Sequence, residues 1–269
     1  IAANVSTSEG LFELPGGDVG LAFGYEYIDN EFAFTPSQDL AAGTIAGFSG
    51  SPPTSGDYDV HQVYAELYLP IISGRRGIED LSMELAGRYS DYSTSGDVSN
   101  YKVSLSYAPV EQVRFRAGWN TAVRAPGIGE LFSPQGENFP GANDPCSADD
   151  GVAGPIDPAI AAICAATGVP ANVIDTPAIN LAAGQVRTLQ GGNPELKEEE
   201  AETFTVGVVV TPMDNLSISV DYFDIEIEDY IFSFGGGANN VLGTCYSTDP
   251  TGGVGSPFCD VVNRRADGT

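Results

Sequence analysis

Four cysteines and a single histidine are the residues best suited to metal, redox or nucleophilic chemistry in this 269-residue sequence. Cys146 and Cys164 form one close pair and Cys245 and Cys259 another, each within a stretch rich in Gly, Pro and Ser. No CxxC or Cys/His spacing occurs, so a tetrahedral zinc site is not expected. His61 has no Ser or Cys partner at a spacing that suggests a catalytic pair. Asp221 and Asp224 are spaced as strand residues, not as an acid/base pair. The acidic segment DPCSADDG (144–151) lacks the spacing of a calcium loop. The economical expectation is two loop disulfides, Cys146–Cys164 and Cys245–Cys259, formed in an oxidising compartment. Four free thiols in a cytosolic protein are the alternative. No enzyme activity and no cofactor is expected.

Charge narrows the partners. Eleven Lys and Arg stand against 37 Asp and Glu, a formal charge of −26. Phosphate backbones need clustered cations, so nucleic acid is not an expected partner. Four of the eleven, Arg88, Lys102, Arg114 and Arg116, fall in three successive segments. They are expected to share one polar face, as a patch for an anionic ligand or a docked acidic surface. The simpler expectation is a charge network neutralised by Glu66 and Glu84.

The elements that carry these residues are read from period-two alternation over segments of about ten residues. Apolar sets recur: Leu21, Phe23, Tyr25 and Tyr27; then Val63, Ala65, Leu67 and Leu69; then Leu81, Met83, Leu85, Gly87 and Tyr89. Tyr101 to Tyr107, Val113 to Trp119, Phe204 to Val210 and Leu216 to Tyr222 repeat the pattern. A weaker strand is expected from Val5 to Glu13, making about eight. An Ala-rich helix is expected over Asp157–Thr167, with Pro158 in its first turn. No apolar run approaches the ~20 residues of a membrane-spanning helix.

Two features separate a membrane barrel from a soluble β-sandwich, which also keeps one face of each strand uncharged. Short links (Leu14–Gly17, Pro70–Gly77, Ala108–Glu111, Thr211–Asn215) alternate with longer ones (Asn30–Asp57, Ser93–Ser99, Ala125–Glu200 and the segment after Tyr230). Short turns at one end and long loops at the other characterise outer-membrane barrels. Tyr25, Tyr27, Tyr89, Tyr101, Trp119, Phe204 and Tyr222 all sit toward the long-loop end of the apolar face. Such aromatics belong at a membrane–water interface, as a belt at one height.

Five segments resemble TonB-dependent outer-membrane receptors: GLFELPGGDVGLAFGYEY (10–27), HQVYAELYLPII (61–72), VRFRAGWNTAVRAPGIGELF (113–132), GGNPELKEEEAETFTVGV (191–208) and LSISVDYFDIEIEDYI (216–231). The resemblance spans most of the chain in the expected order. It marks Arg124, Ala125 and Pro126, and Gly192, Asn193 and Pro194, as rim motifs flanking a long extracellular loop of about 125–200. A turn at Pro70 and a carboxylate partner for Arg124 are expected, and the run of glutamates at 198–202 reads as a solvated strand entrance. The resemblance implies an all-β, antiparallel transmembrane barrel of 22 strands. Residues 1–269 would supply one partial barrel domain of about eight strands, without the plug domain or the C-terminal strands. It also implies the outer membrane of a Gram-negative bacterium. The function implied is import of a scarce nutrient (siderophore, cobalamin, saccharide or peptide) with energy from TonB. Membrane lipid, the receptor's own plug and TonB would be partners. A passive porin, or a secreted or surface β-sandwich for adhesion or glycan binding, is the alternative.

Overall fold

The computed structural model describes residues 1–7, 10–47, 49–148, 154–179 and 184–269. The chain divides into two compact units, each assembled from three segments. The first comprises Ile1–Phe34, Thr54–Ser133 and Asn193–Ile231; the second comprises Thr35–Pro53, Pro134–Gly192 and Phe232–Thr269. In chain order the strands are β1 (Ala2–Ser6), β2 (Glu13–Leu14), β3 (Gly17–Asp18), β4 (Gly20–Phe34), β5 (Thr54–Arg75), β6 (Ile78–Tyr92), β7 (Gly96–Val110), β8 (Val113–Arg124), β9 (Gly136–Asn138), β10 (Thr188–Gln190), β11 (Glu199–Met213) and β12 (Leu216–Glu228). The helices are α1 (Gln38–Ala41), α2 (Ile128–Phe132), α3 (Pro158–Ala166), α4 (Ala238–Cys245) and α5 (Pro257–Asp260). None is long and apolar enough to cross a membrane.

The first unit is an antiparallel sheet of eight strands in the order β1-β4-β5-β6-β7-β8-β11-β12. Alternation forces one apolar and one polar face. The apolar face stays uncovered: Phe23, Tyr101, Leu105, Phe115, Val206, Ile218 and Val220 are each at least 40% exposed. Leaving a dozen such half-exposed side chains in water forgoes about 10–20 kcal/mol, comparable to the whole stability of a typical domain. This face therefore requires an apolar environment.

Several boundaries differ from expectation. The first strand is Ala2–Ser6, paired to β4, instead of Val5–Glu13. Glu13–Leu14 pair back onto Gly17–Asp18 around Pro15 and Gly16. β5 does not end at Pro70 but continues to Arg75, with a register shift between Pro70 and Ile72. Pro70 itself faces Ser82, and the extra, unpaired residue is Ile71, a bulge beside a proline that has no N–H to give. The link expected at Asn30–Asp57 shrinks because β4 and β5 stay paired out to Phe34 and Thr54. Likewise Tyr92 pairs with Gly96, which closes a tight turn in place of a loop over Ser93–Ser99.

The second unit is built from the connection between β4 and β5, the connection between β8 and β11, and the segment after β12. Its core holds Ala142, Val169, Ile179, Leu242 and Tyr246 with all four cysteines. The expected helix forms as α3: Asp157 caps it by accepting from Ala159 N–H at 2.7 Å, and Thr167 closes it. Cys146 is bonded to Cys164, and Cys245 to Cys259, with Cα separations of 5.8 and 4.8 Å. Each bridge closes within one connection, as the sequence pairing anticipated.

Candidate functional site: the polar wall and its rim

The four cations of the polar face do share that face, but they are not an open positive patch. Lys102 Nζ donates to Glu84 at 2.7 Å. Arg114 donates to Asp80 at 2.8 Å and to Ser106 Oγ at 2.6 Å. Arg116 forms a two-pronged pair with Asp221, at 2.8 and 2.6 Å. Arg88 donates to Gln62 Oε1 at 3.3 Å and lies over the Tyr64 ring, 5.2 Å from its centroid. Glu84 is thus a neutraliser as expected, whereas Glu66 pairs with no cation among the described residues. Asp80 and Asp221 take the place expected of Glu66, because register brings each within reach of its arginine across one intervening strand. Glycines make the room. Arg116 reaches across Gly207, where a Cβ would lie 1.9 Å from Asp221 Oδ1. The Tyr64 ring covers Gly24, where a Cβ would lie 2.3 Å from it. Asp221 and Asp224 sit on opposite faces, so they form no carboxylate pair.

The aromatics on the apolar face follow an oblique line. Tyr25 faces Val63, and Val63 faces Tyr89. Traced along the ladder from that row, Tyr101 lies two residues nearer the end at which β7 turns into β8. Trp119 and Phe204 lie four residues nearer, and Tyr222 six. Six residues of rise across six strand spacings is about 20 Å against about 29 Å, a slope of about 35°. Strands of closed barrels tilt by about 35–45° to the axis. Tyr25, Tyr89, Tyr101, Trp119, Phe204 and Tyr222 do not share a ladder row, so they reach a common height only if the strands tilt by this amount, and Tyr27 lies two residues beyond Tyr25 on β4.

Beyond this line the two faces exchange polarity. The formerly apolar face carries Asp29, Glu31, Asp57, Asp59, Asp91, Asp97, Glu200, Glu202, Asp224, Glu226 and Glu228. His61 joins them, with Nδ1 2.8 Å from Tyr25 Oη and its ring against Tyr27. The formerly polar face becomes apolar, with Ile28, Phe32, Val60, Val98, Phe223, Ile225 and Ile227. Helix α2 packs on this stretch. Phe132 and Ile128 press on Gly56 of β5, where a Cβ would lie 2.4 Å from the Phe132 ring.

The rim is organised by Arg124, the last residue of β8. Its Nε and Nη2 donate to Glu199 at 2.7 and 2.8 Å, and Nη1 and Nη2 donate to Glu130 at 2.9 and 3.2 Å. Glu130 also accepts Gly127 N–H at 2.7 Å, capping α2. Glu199 accepts Ile231 N–H at 2.8 Å. Asn193 N–H donates to the Glu130 carbonyl at 2.8 Å, and Asn193 Oδ1 accepts Glu195 N–H at 3.0 Å, shaping the turn at Pro194. Pro126 is fully buried. The bonds from Arg124 hold the Glu199 carboxyl at about 2, against its burial, and also lower that of Glu130. The two carboxylates in turn raise the Arg124 pKa. Of the glutamates expected to form a solvated strand entrance, Glu199 is therefore buried and paired. Glu200 and Glu202 belong to the acidic band.

In the second unit Arg264 and Asp144 form a buried pair, 5% and 4% exposed. Arg264 Nη1 meets Asp144 Oδ2 and Nη2 meets Oδ1 at 3.0 Å. Nη2 also donates to Tyr246 Oη at 2.6 Å, and that hydroxyl lies 2.9 Å from Thr167 Oγ1. Burial opposes the Arg264 charge most strongly, yet the Asp144 bonds leave its pKa raised. Among the described residues no three His, Cys, Asp or Glu side chains are placed to hold a metal ion. Asp149 to Gly151 of the acidic loop segment lie outside the described residues.

A polar, ion-paired face, an apolar face and an oblique aromatic line describe a section of barrel wall. The family model for the β-barrel of TonB-dependent receptor-like proteins matches residues 3–256. The chain belongs to the TonB-dependent receptor β-barrel family. No curated protein matches it by sequence. Among solved structures, the siderophore receptor PirA from Acinetobacter baumannii aligns with a TM-score of 0.50 and 16% identity, over 85% of this chain and 26% of PirA. The ferric enterobactin receptor PfeA from Pseudomonas aeruginosa, in complex with enterobactin, aligns with a TM-score of 0.53 and 18% identity, over 84% and 26%. Its complex with BCV-L6 gives 0.52 and 19%, over 84% and 26%. The chain spans about a quarter of these receptors, and at such identity the likeness establishes the antiparallel barrel fold alone.

Proposed function

We propose that this chain is part of the wall of an outer-membrane active-transport receptor of a Gram-negative bacterium. The apolar face meets lipid, and Tyr25, Tyr27, Tyr89, Tyr101, Trp119, Phe204 and Tyr222 lie at its outer interface. The polar face lines the lumen, where the pairs around Arg88, Lys102, Arg114 and Arg116 meet the receptor's own plug domain. The disulfide-knit connections of the second unit face the medium and select the ligand. TonB supplies the energy through the plug, and the barrel performs no catalysis. The observation that carries this reading is the oblique aromatic line. It separates an uncovered apolar face from an acidic one at the slope a tilted barrel wall requires.

The cargo is a small scarce nutrient. An iron chelate leads because the aligned receptors are named for siderophore and ferric enterobactin. Cobalamin, a saccharide or a peptide would suit the same architecture. The test is uptake of ⁵⁵Fe-labelled catecholate and hydroxamate chelates by cells carrying or lacking the full-length receptor, with and without TonB. Uptake that needs both proteins is the expected result. Receptor-dependent uptake that survives loss of TonB would indicate a passive porin. Recovery of the protein in the soluble fraction would indicate a surface or secreted β-sandwich.

A further inference from the structure

The chain crosses between the sheet unit and the loop unit five times, at 34/35, 53/54, 133/134, 192/193 and 231/232. Four of these crossings converge on one network in the sheet unit. Arg124 grips Glu130, whose carboxylate caps α2, the helix that leads to the crossing after Ser133. The Glu130 carbonyl holds Asn193 N–H, the first residue after the return crossing. Arg124 also grips Glu199, which holds Ile231 N–H, the last residue before the final crossing. Phe132, at the end of the same helix, presses on Gly56, two residues beyond the crossing into β5.

We infer that Arg124 is a positioning residue: with Glu130 and Glu199 it fixes the main chain of the sheet unit at the points where the chain leaves it after Ser133 and after Ile231. Three properties suit it to that role. The guanidinium is the one side chain that can offer a fork to each of two carboxylates at once. The Glu199 side chain is only 10% exposed, so its bonds are shielded from water. Both carboxylates also bind backbone N–H groups, at Gly127 and Ile231, so the network fixes the main chain and not merely side chains. Loops that choose a ligand need fixed roots if contacts at their tips are to act on the wall as a unit. The inference does not depend on which ligand the loops bind, or on TonB.

The test uses the full-length receptor in detergent or native outer-membrane vesicles, without added ligand. Hydrogen exchange is followed by mass spectrometry at the rim. In Arg124→Ala, exchange should rise by about tenfold or more together at Gly127 and Ile231. Exchange in the middle of β6 and β7 should not change. Two milder variants separate the branches. Glu130→Ala should release Gly127 while Ile231 stays protected. Glu199→Gln should release Ile231 first. Arg124→Lys, which keeps the charge but loses the fork, should restore protection only in part. Unchanged exchange at Gly127 and Ile231 in Arg124→Ala would overturn the proposal, and so would equal loosening at both amides in both Glu130→Ala and Glu199→Gln. If Arg124→Ala fails to insert, the two glutamate variants carry the test alone.

Discussion

Truncating Arg264 should open the loop unit far more than loss of one surface contact would. In Arg264→Ala, Asp144 keeps the bond from Cys146 N–H at 2.9 Å but loses both prongs of the guanidinium inside the core. Tyr246 loses its two bonds from Arg264 and retains Thr167. Breaking a buried pair on one side costs about 3–5 kcal/mol, because the remaining charge stays desolvated. The opened population of the unit should therefore rise about a hundredfold to several thousandfold. Removing both charges is different: Asp144→Leu with Arg264→Met should cost less than either single change, since both ends of the buried pair are removed together. Hydrogen exchange of α3 and α4 in the full receptor reads the opening directly, with β6 and β7 as the internal control. The reasoning fails if Arg264→Ala costs less than about 1 kcal/mol. It fails equally if the double variant costs the sum of the singles.

Further outcomes follow from other parts of the structure. Gly207→Ala should drive Asp221 away from Arg116 and lower the thermal midpoint of the receptor, at a cost of about 1–3 kcal/mol. Cys164→Ser opens a bridge spanning 18 residues and should destabilise the loop unit by about 3 kcal/mol, seen as faster proteolysis of residues 154–179. The Glu199 carboxyl is depressed from 4.5 to about 2, so its stabilisation is complete above 4.5 and is lost as pH falls toward 2. The mobility of a spin label at Leu196 should therefore stay flat from pH 7 to 5 and rise only in stronger acid. In Arg124→Ala that acid transition should move up toward 4.5.

The strands were legible where alternation is simple, as in Leu81 to Tyr89 opposite Ser82 to Arg88. Their outer ends were not, and the reason is physical. Past the aromatic line the apolar set turns acidic, as from Tyr27 to Asp29 and Glu31. The period of two persists while its polarity reverses, so a search for a continuing apolar face stops at the tyrosines. The disulfides were readable because each bridge closes locally. The partners of the cations were not, because Asp221 meets Arg116 only through the register of β8, β11 and β12. A signal was present in Gly207, a glycine within a valine run. Helix α2 has only five residues, too few for periodicity, and its cap pairs Gly127 with Glu130 in place of a Ser or Thr motif.

The slope of the aromatic line also bears on how depth should be read from hydrogen bonding. One unbroken ladder row runs from Leu21 through Leu67, Leu85, Val103, Trp119 and Phe204 to Asp224. Each step along it climbs about 3 Å relative to the barrel axis, so its two ends differ in depth by about 17 Å. Leu21 lies in the apolar stretch of the face while Asp224 lies in its acidic band, although direct neighbours link them throughout. The stagger is about one residue per strand. A sheet that keeps it around its whole circumference closes with a shear number near its strand number. The eight strands of this sheet therefore already set the pitch that any strand paired to their edges must match.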